Sequence, residues 1–239
     1  MGSKNPLLNI PDKEGVNTLK NKLVKTGGLP LKNMAEIEIR KVEDEVSSVR
    51  NLFQNLIGAE VEKHISVEIV SGEYTLKGNV KSIYGDKLVV VSWSKKETKY
   101  LLDAYIRYIS LIASGKEITL HFISANKNEV FHGCAITQDE AIKQIQELLL
   151  MYVKGHEKII TFDPDFSINA LKVNALDIKE FEKVLRDKFH NFSWPCNDTY
   201  MNIEYANGFF EKTDVIDNCK AAGEKLLTPL TLLFPEYYL

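Results

Sequence analysis

The spacing of hydrophobic residues changes from helical to strand-like within the first half of the chain. Apolar residues first recur at intervals of four and three, at Val42, Val46, Val49, Phe53 and Leu56. This period predicts an amphipathic helix over about residues 40–57. From residue 64 the period becomes two, and turns at residues 71–73 and 85–86 divide the segment into three strands. The pattern therefore predicts a helix followed by a three-stranded meander.

A second helix and further strands follow the meander. Helical spacing returns from Leu101 to Ile112, and alternating spacing then predicts a strand at residues 118–122. A short strand is expected near residues 129–131. Residues 40–135 are therefore interpreted as the core of an α/β domain.

The remainder of the chain is predicted to be a helical extension over about residues 137–239. Thr137-Gln138-Asp139-Glu140 has the form of a capping box, which predicts the start of a long helix. Further helices are predicted from Asp177 and from Val215. The apolar stretch Leu226–Phe234 is interpreted as a docking surface, or alternatively as a segment that closes the chain's own core.

No linker divides the chain, so residues 1–239 are interpreted as a single domain. Residues 1–15 are expected to be disordered or of cloning origin, since Met1-Gly2-Ser3 resembles a vector-derived start. The hypothesis is that the chain is a fragment of a longer protein.

Composition excludes several classes of protein. The chain has 239 residues, 44% hydrophobic and 26% charged, with a net charge of −3. This charge does not suit an autonomous nucleic-acid binder, which is usually strongly basic. The three cysteines are widely spaced and are expected to be reduced thiols of a cytoplasmic protein. No apolar run approaches the roughly 20 residues that a membrane span needs.

The order helix, three strands, helix, strand resembles the core of the PD-(D/E)XK nuclease superfamily. In this superfamily the second strand carries an acid after a glycine, and the third carries an acid, one intervening residue and a lysine. Two carboxylates bind Mg²⁺, which activates water and stabilises charge on the phosphate, and the lysine positions the nucleophile.

The matching positions of this chain carry no metal ligands. Lys81 occupies the place of the first acid, Ser92 that of the second acid and Ser94 that of the lysine. An ammonium group has no lone pair for a metal, and serine hydroxyls do not compensate the charge of a divalent cation. We therefore expect a catalytically degenerate nuclease fold with no catalytic residues, no bound metal and no cofactor.

The chain also resembles the C-terminal domain of the gamma subunit of bacterial exodeoxyribonuclease V, the RecC family of the RecBCD helicase-nuclease. Four stretches carry the likeness: Gly28-Leu29-Pro30 to Glu36, Lys87-Leu88-Val89-Val90 to Ser114-Gly115, Asp139-Glu140-Ala141 to Tyr152-Val153-Lys154-Gly155, and Leu226-Leu227 to Leu233-Phe234. The likeness rests on their order and spacing and extends over about residues 28–234.

This resemblance implies partners and a biological role. The expected partners are the beta subunit, possibly the alpha helicase subunit, and the ends and separated strands of double-stranded DNA. Mg²⁺ and ATP are expected only in the partner subunits. The implied function is subunit assembly and DNA strand guidance in double-strand-break repair by homologous recombination.

One stretch of this acidic chain is basic. Between residues 76 and 100, six lysines and two acidic residues give a local net charge of +4. The candidate contacts for DNA or a partner subunit are Lys77, Lys81, Lys87, Trp93, Lys95, Lys96 and Lys99. Three tyrosines, Tyr74, Tyr84 and Tyr100, are interleaved with them, and aromatic rings beside lysines suit single-stranded DNA. The alternative is an exposed face of solvated lysines whose aromatic neighbours pack inward.

Two alternative functions stay open. A relocated metal site could make the domain an active Mg²⁺-dependent nuclease, with ligands drawn from Glu43, Glu45, Glu60, Glu62 and Asp103. A protein-only adaptor would not use the lysines for DNA. The histidines lack metal-binding spacing, and His121 is expected to be an imidazole of the core or of a sheet edge.

Overall fold

The computed structural model describes residues 21–26, 33–157, 160, 162 and 213–238. The described helices are α1 (Asn33–Ile57), α2 (Thr98–Ala113), α3 (Gln138–Glu157), α4 (Thr213–Leu233) and α5 (Pro235–Tyr238), besides a helical turn at residues 21–25. The strands are β1 (Glu62–Ser71), β2 (Tyr74–Tyr84), β3 (Lys87–Ser92), β4 (Thr119–Ser124) and β5 (Glu129–His132). The expectations for residues 1–15 and for a helix from Asp177 lie outside the described residues.

The five strands form one mixed sheet in the order β1-β2-β3-β4-β5. Neighbours are antiparallel except β3 and β4, which run parallel, with Leu88 opposite Leu120 and Ser92 opposite Ser124. A parallel pair needs a crossover connection, and α2 provides it. The α/β class and the antiparallel meander that the sequence predicts are confirmed.

Helix α1 covers one face of the sheet with its C-terminal half. Val49, Phe53 and Ile57 are buried there, and the ring of Phe53 meets that of Tyr84 edge-on at 5.3 Å. Val89 of β3 belongs to the same cluster. The interval of four between the helical residues places them on one stripe, which explains why this part of the helix binds the sheet.

The other face of the sheet carries the larger hydrophobic core. Leu88 and Phe122 of the sheet pack with buried residues of α2, α3 and α4. The C-terminal contribution is buried and consists of Leu227, Leu230, Leu233 and Phe234. The interpretation of Leu226–Phe234 as a docking surface is therefore wrong, because most of this stretch closes the chain's own core.

Strands β1 and β2 form a long hairpin that is largely separate from the rest of the sheet. They pair from Ser71–Tyr74 to Glu62–Tyr84, whereas β2 and β3 pair only at Ile83–Leu88 and Tyr84–Lys87. The register shifts between Lys63 and Ile65, where Ser82 on the opposite strand has a φ of 64°. The pairing of β2 with β3 thus extends only as far as the residue next to this bulge.

Candidate functional site

The three positions that match nuclease ligands differ in burial. Val80 and Ile83 belong to the larger core, and Lys81 lies between them in the bulge and is exposed. Ser92 is buried and shares its face with Val90, which also belongs to the larger core. The structure therefore exposes Lys81 to solvent and buries Ser92 at the end of β3, where the Ser92 hydroxyl bonds to the backbone of Ser94.

Ser92 and Ser94 shape the loop that leaves β3. The Ser92 hydroxyl accepts a hydrogen bond from the backbone N–H of Ser94 at 3.3 Å. The Ser94 hydroxyl accepts one from the backbone N–H of Lys96 at 3.1 Å. The backbone carbonyl of Ser92 also accepts from the N–H of Ala125, which ties the loop to the end of β4. Both hydroxyls thus satisfy backbone donors in a tight turn.

A buried carboxylate lies at the end of this loop. Glu97 is only 3% exposed, and its Oε2 accepts hydrogen bonds from Ser124 Oγ at 2.8 Å and from Tyr237 Oη at 2.9 Å. Its Oε1 is buried without a hydrogen-bond partner among the described residues. Burial, and then the hydrogen bond to Glu97 and its charge, raise the pKa of Tyr237, so the phenol stays protonated as a donor.

Sequence reasoning missed Glu97 as a site residue and counted it only against the local positive charge. Its two partners are 27 and 140 residues away along the chain. No local pattern carries such a contact.

The lysines of the basic stretch fall into two groups. Lys77 forms an ion pair with Glu68 on the neighbouring strand, with 2.8 Å between Nζ and Oε1. Lys87 is half-buried, and its Nζ donates to the backbone carbonyl of Leu56 near the end of α1 at 3.1 Å. Tyr84 is fully buried and presents no ring face for stacking. These residues serve the fold of the sheet or pair within it.

The second group lies on the loop after β3 and the first turn of α2, and we call residues Trp93–Lys99 the contact segment. Lys95, Lys96 and Lys99 are exposed, and the Trp93 side chain is 48% exposed. The Nζ of Lys99 lies 4.8 Å from the ring centroid of Tyr100. The segment thus combines three exposed lysines with an exposed indole. Lysines beside aromatic rings are common in surfaces that bind single-stranded nucleic acid.

The carboxylates proposed for a relocated metal site are dispersed. Glu43 and Glu45 are exposed on α1, and Glu62 accepts a hydrogen bond from the backbone N–H of Ser82. Asp103 forms an ion pair with Arg107 at 2.7 Å. Within the described ranges, no group of three or more His, Cys, Asp or Glu residues is placed to hold a metal ion.

Comparison with known proteins identifies one family. A family model described as the RecC C-terminal domain matches residues 5–174, which are 170 of the 239 residues. The match includes the whole sheet and the helices from α1 to α3. A search of curated proteins finds no match. None of the helices in the described part of the chain is long and apolar enough to cross a membrane.

Proposed function

The chain belongs to the RecC C-terminal domain family, whose role lies in the RecBCD complex of DNA repair, and we propose that it is a non-catalytic module of the exodeoxyribonuclease V gamma subunit. In this proposal the domain contributes to subunit assembly and guides DNA strands during double-strand-break repair. Its partners are the beta subunit and, in the complete assembly, the alpha helicase subunit. Mg²⁺ and ATP are bound by those partners.

The order of elements and the chemistry of β3 support an inactive nuclease-like core. The order is helix, three antiparallel strands, helix and a parallel fourth strand, which is the order of the PD-(D/E)XK core. The positions of the second acid and the lysine are held by Ser92 and Ser94, whose hydroxyls bind backbone N–H groups. Neutral hydroxyls so engaged do not supply the negative charge with which two carboxylates bind Mg²⁺.

The contact segment is the observation that carries the guiding role. It places Lys95, Lys96 and Lys99 in exposed positions beside the exposed indole of Trp93. A mildly acidic domain thereby presents a local basic surface, and the assembled complex supplies the rest of the DNA affinity. A domain that only joins proteins would use these residues against an acidic partner face.

Charge reversal in the assembled complex tests the guiding role. The Lys95→Glu, Lys96→Glu, Lys99→Glu variant should weaken binding to forked DNA. It should also lower the dependence of log K on log salt by about 2, because each lost phosphate contact with a single strand removes about 0.7. The matched control reverses three exposed lysines elsewhere, Lys116, Lys143 and Lys154, and should leave the slope unchanged. Equal slopes for both variants would contradict the guiding role, and a loss of subunit assembly instead would support the adaptor function.

A cleavage assay tests the non-catalytic assignment. The 239-residue chain is incubated with single-stranded and duplex DNA in Mg²⁺ or Mn²⁺, and we expect no cleavage. Cleavage that disappears in the Glu62→Gln or Asp103→Asn variant would overturn the assignment and support the relocated metal site. Cleavage that persists when all five candidate carboxylates have been changed, one variant at a time, would point to a contaminating nuclease.

A further inference from the structure

Tyr237 in the short C-terminal helix α5 is fixed to the sheet by its hydroxyl, its ring and its backbone. Its hydroxyl donates to Glu97 Oε2 at 2.9 Å. Its ring meets those of Phe122 and Phe131 edge-on, with centroids 6.1 and 5.0 Å away. The Nζ of Lys127 donates to the Tyr237 carbonyl at 2.8 Å and lies 3.9 Å from its ring centroid. These contacts hold the phenol over the ends of β4 and β5.

Glu97 connects Tyr237 to the contact segment. It is the N-cap residue of α2, yet its carboxylate makes no capping hydrogen bond and reaches Ser124 and Tyr237 instead. Its backbone carbonyl accepts from the N–H groups of Tyr100 and Leu101 at 2.9 and 3.0 Å. The position of Glu97 therefore sets both the end of the loop and the start of α2.

The carboxylate depends on these two donors because it is buried. Removing a charged group from water is costly unless it is hydrogen-bonded, and here one oxygen carries both described bonds while the other has none. Without the Tyr237 hydroxyl, Ser124 is the one donor left among the residues that the structure describes. The side chain then gains by turning toward solvent, which moves the loop that bears Lys95 and Lys96.

We propose that Tyr237 is a positioning residue that acts through Glu97 to fix the contact segment. When α5 is docked, the loop after β3 is held in one conformation and presents its lysines and Trp93 together. When α5 is displaced, for example by a partner subunit, Glu97 loses a donor and the segment loosens. The role of this coupling in DNA guidance rests on the proposed function. The coupling between Tyr237 and the contact segment does not itself require DNA.

The test uses hydrogen exchange of the assembled complex together with DNA binding. Tyr237→Phe removes the hydroxyl and keeps the ring contacts, and it should accelerate amide exchange in residues 93–97 by about tenfold or more. Tyr238→Phe is the matched control, because the Tyr238 hydroxyl is buried without a hydrogen-bond partner among the described residues. It should leave exchange in this segment unchanged. Ser124→Ala removes the other donor and should reproduce the local acceleration.

The outcomes separate the coupling from the proposed function. Faster exchange confined to residues 93–97 with weaker DNA binding supports both. Faster local exchange with unchanged DNA binding supports the coupling and contradicts the guiding role of the segment. Equal exchange in Tyr237→Phe and Tyr238→Phe overturns the proposal, and so does an acceleration spread evenly over the chain, since that would show a merely structural role.

Discussion

The Nδ1 atoms of His121 and His132 lie 2.8 Å apart across the antiparallel pair of β4 and β5. The hydrogen-bond partners determine which ring nitrogens carry protons. The Thr119 hydroxyl donates to the Asp86 carbonyl at 3.2 Å, so its oxygen accepts from Nε2–H of His121 at 3.0 Å. His121 Nδ1 is therefore the acceptor and His132 Nδ1–H the donor. The His121 ring must be neutral for this chain of hydrogen bonds to form, because its Nδ1 has to accept.

The histidine pair predicts that acid destabilises the domain well above the pKa of its carboxyl groups. Burial, followed by the nearby His132 and Lys87, lowers the pKa of His121 to about 4, while Asp86 opposes this shift. The unfolded chain, with a histidine pKa of about 6.5, binds the proton first. Stability should therefore fall as the pH drops from about 6.5 to about 4. Urea unfolding at several pH values measures it.

Substitution of His121 tests whether this residue causes the pH dependence. The His121→Gln variant should lose most of the pH dependence between 6.5 and 4, even though it is less stable at neutral pH. The control is His64→Gln, which changes an exposed histidine of β1 and should retain the pH dependence. An unchanged profile in His121→Gln would show that another group binds the proton.

Two neighbouring leucines of α4 test whether the C-terminal helix completes the core. Leu230 is fully buried, whereas Leu232 is 70% exposed. Leu230→Ala should cost about 2–5 kcal/mol because it leaves a cavity, and Leu232→Ala should change stability by less than about 0.5 kcal/mol. Denaturant unfolding measures both. Similar small effects would indicate that α4 is not part of the cooperative core.

The sequence predicts the elements well because their periods reflect burial on one face. Helix α1 is the informative exception, since the prediction begins at about residue 40 and the helix begins at Asn33. Met34, Ile37 and Val42 are exposed, so no stripe of buried residues marks the first turns. The hydrophobic period marks only the part of a helix that packs against the core. The part of α1 that extends beyond this contact has no such period, so the sequence does not predict it.

The candidate site is predicted less well because it depends on distant contacts and on bulges. Ser92 is the last residue of β3, and Ser94 lies in the loop that follows it. Lys81 differs from them in that it is exposed and lies beside the bulge at Ser82, which strand periodicity does not predict. Lys87 binds the Leu56 carbonyl because the end of α1 lies beside β3. The sequence does not show that these two elements are neighbours.

The capping box at the start of α3 is a local feature that the sequence predicts in full. Thr137 donates from its backbone N–H and its hydroxyl to Glu140 Oε2, both at 2.8 Å, and its hydroxyl oxygen accepts from the Glu140 N–H at 3.2 Å. These bonds, the backbone one first, lower the pKa of Glu140. The contribution of these bonds to folding stability is therefore fully present above the pKa that Glu140 has in the unfolded chain. It disappears as the pH falls through the lower pKa of Glu140 in the folded domain.

Removal of the cap should weaken α3. Thr137→Ala should cost about 1 kcal/mol, and Thr137→Ser should restore most of it because the hydroxyl returns. Thermal unfolding at neutral pH compares the three proteins. Equal stability of the alanine and serine variants would mean that the hydroxyl does not cap the helix.

Lys87 and Lys95 should separate structural from surface roles within one basic stretch. The Lys87 ammonium donates to the Leu56 carbonyl near the C-terminal end of α1, where a cation is also favoured by the helix dipole. Lys87→Met should therefore cost about 1 kcal/mol of stability and leave DNA binding by the assembled complex unchanged. Lys95 is exposed on the contact segment, so Lys95→Met should leave stability within about 0.5 kcal/mol and weaken DNA binding at low salt. Unfolding curves and salt-dependent DNA binding are measured for both variants. Weaker DNA binding in Lys87→Met alone would place the contact surface on the sheet instead of on the loop.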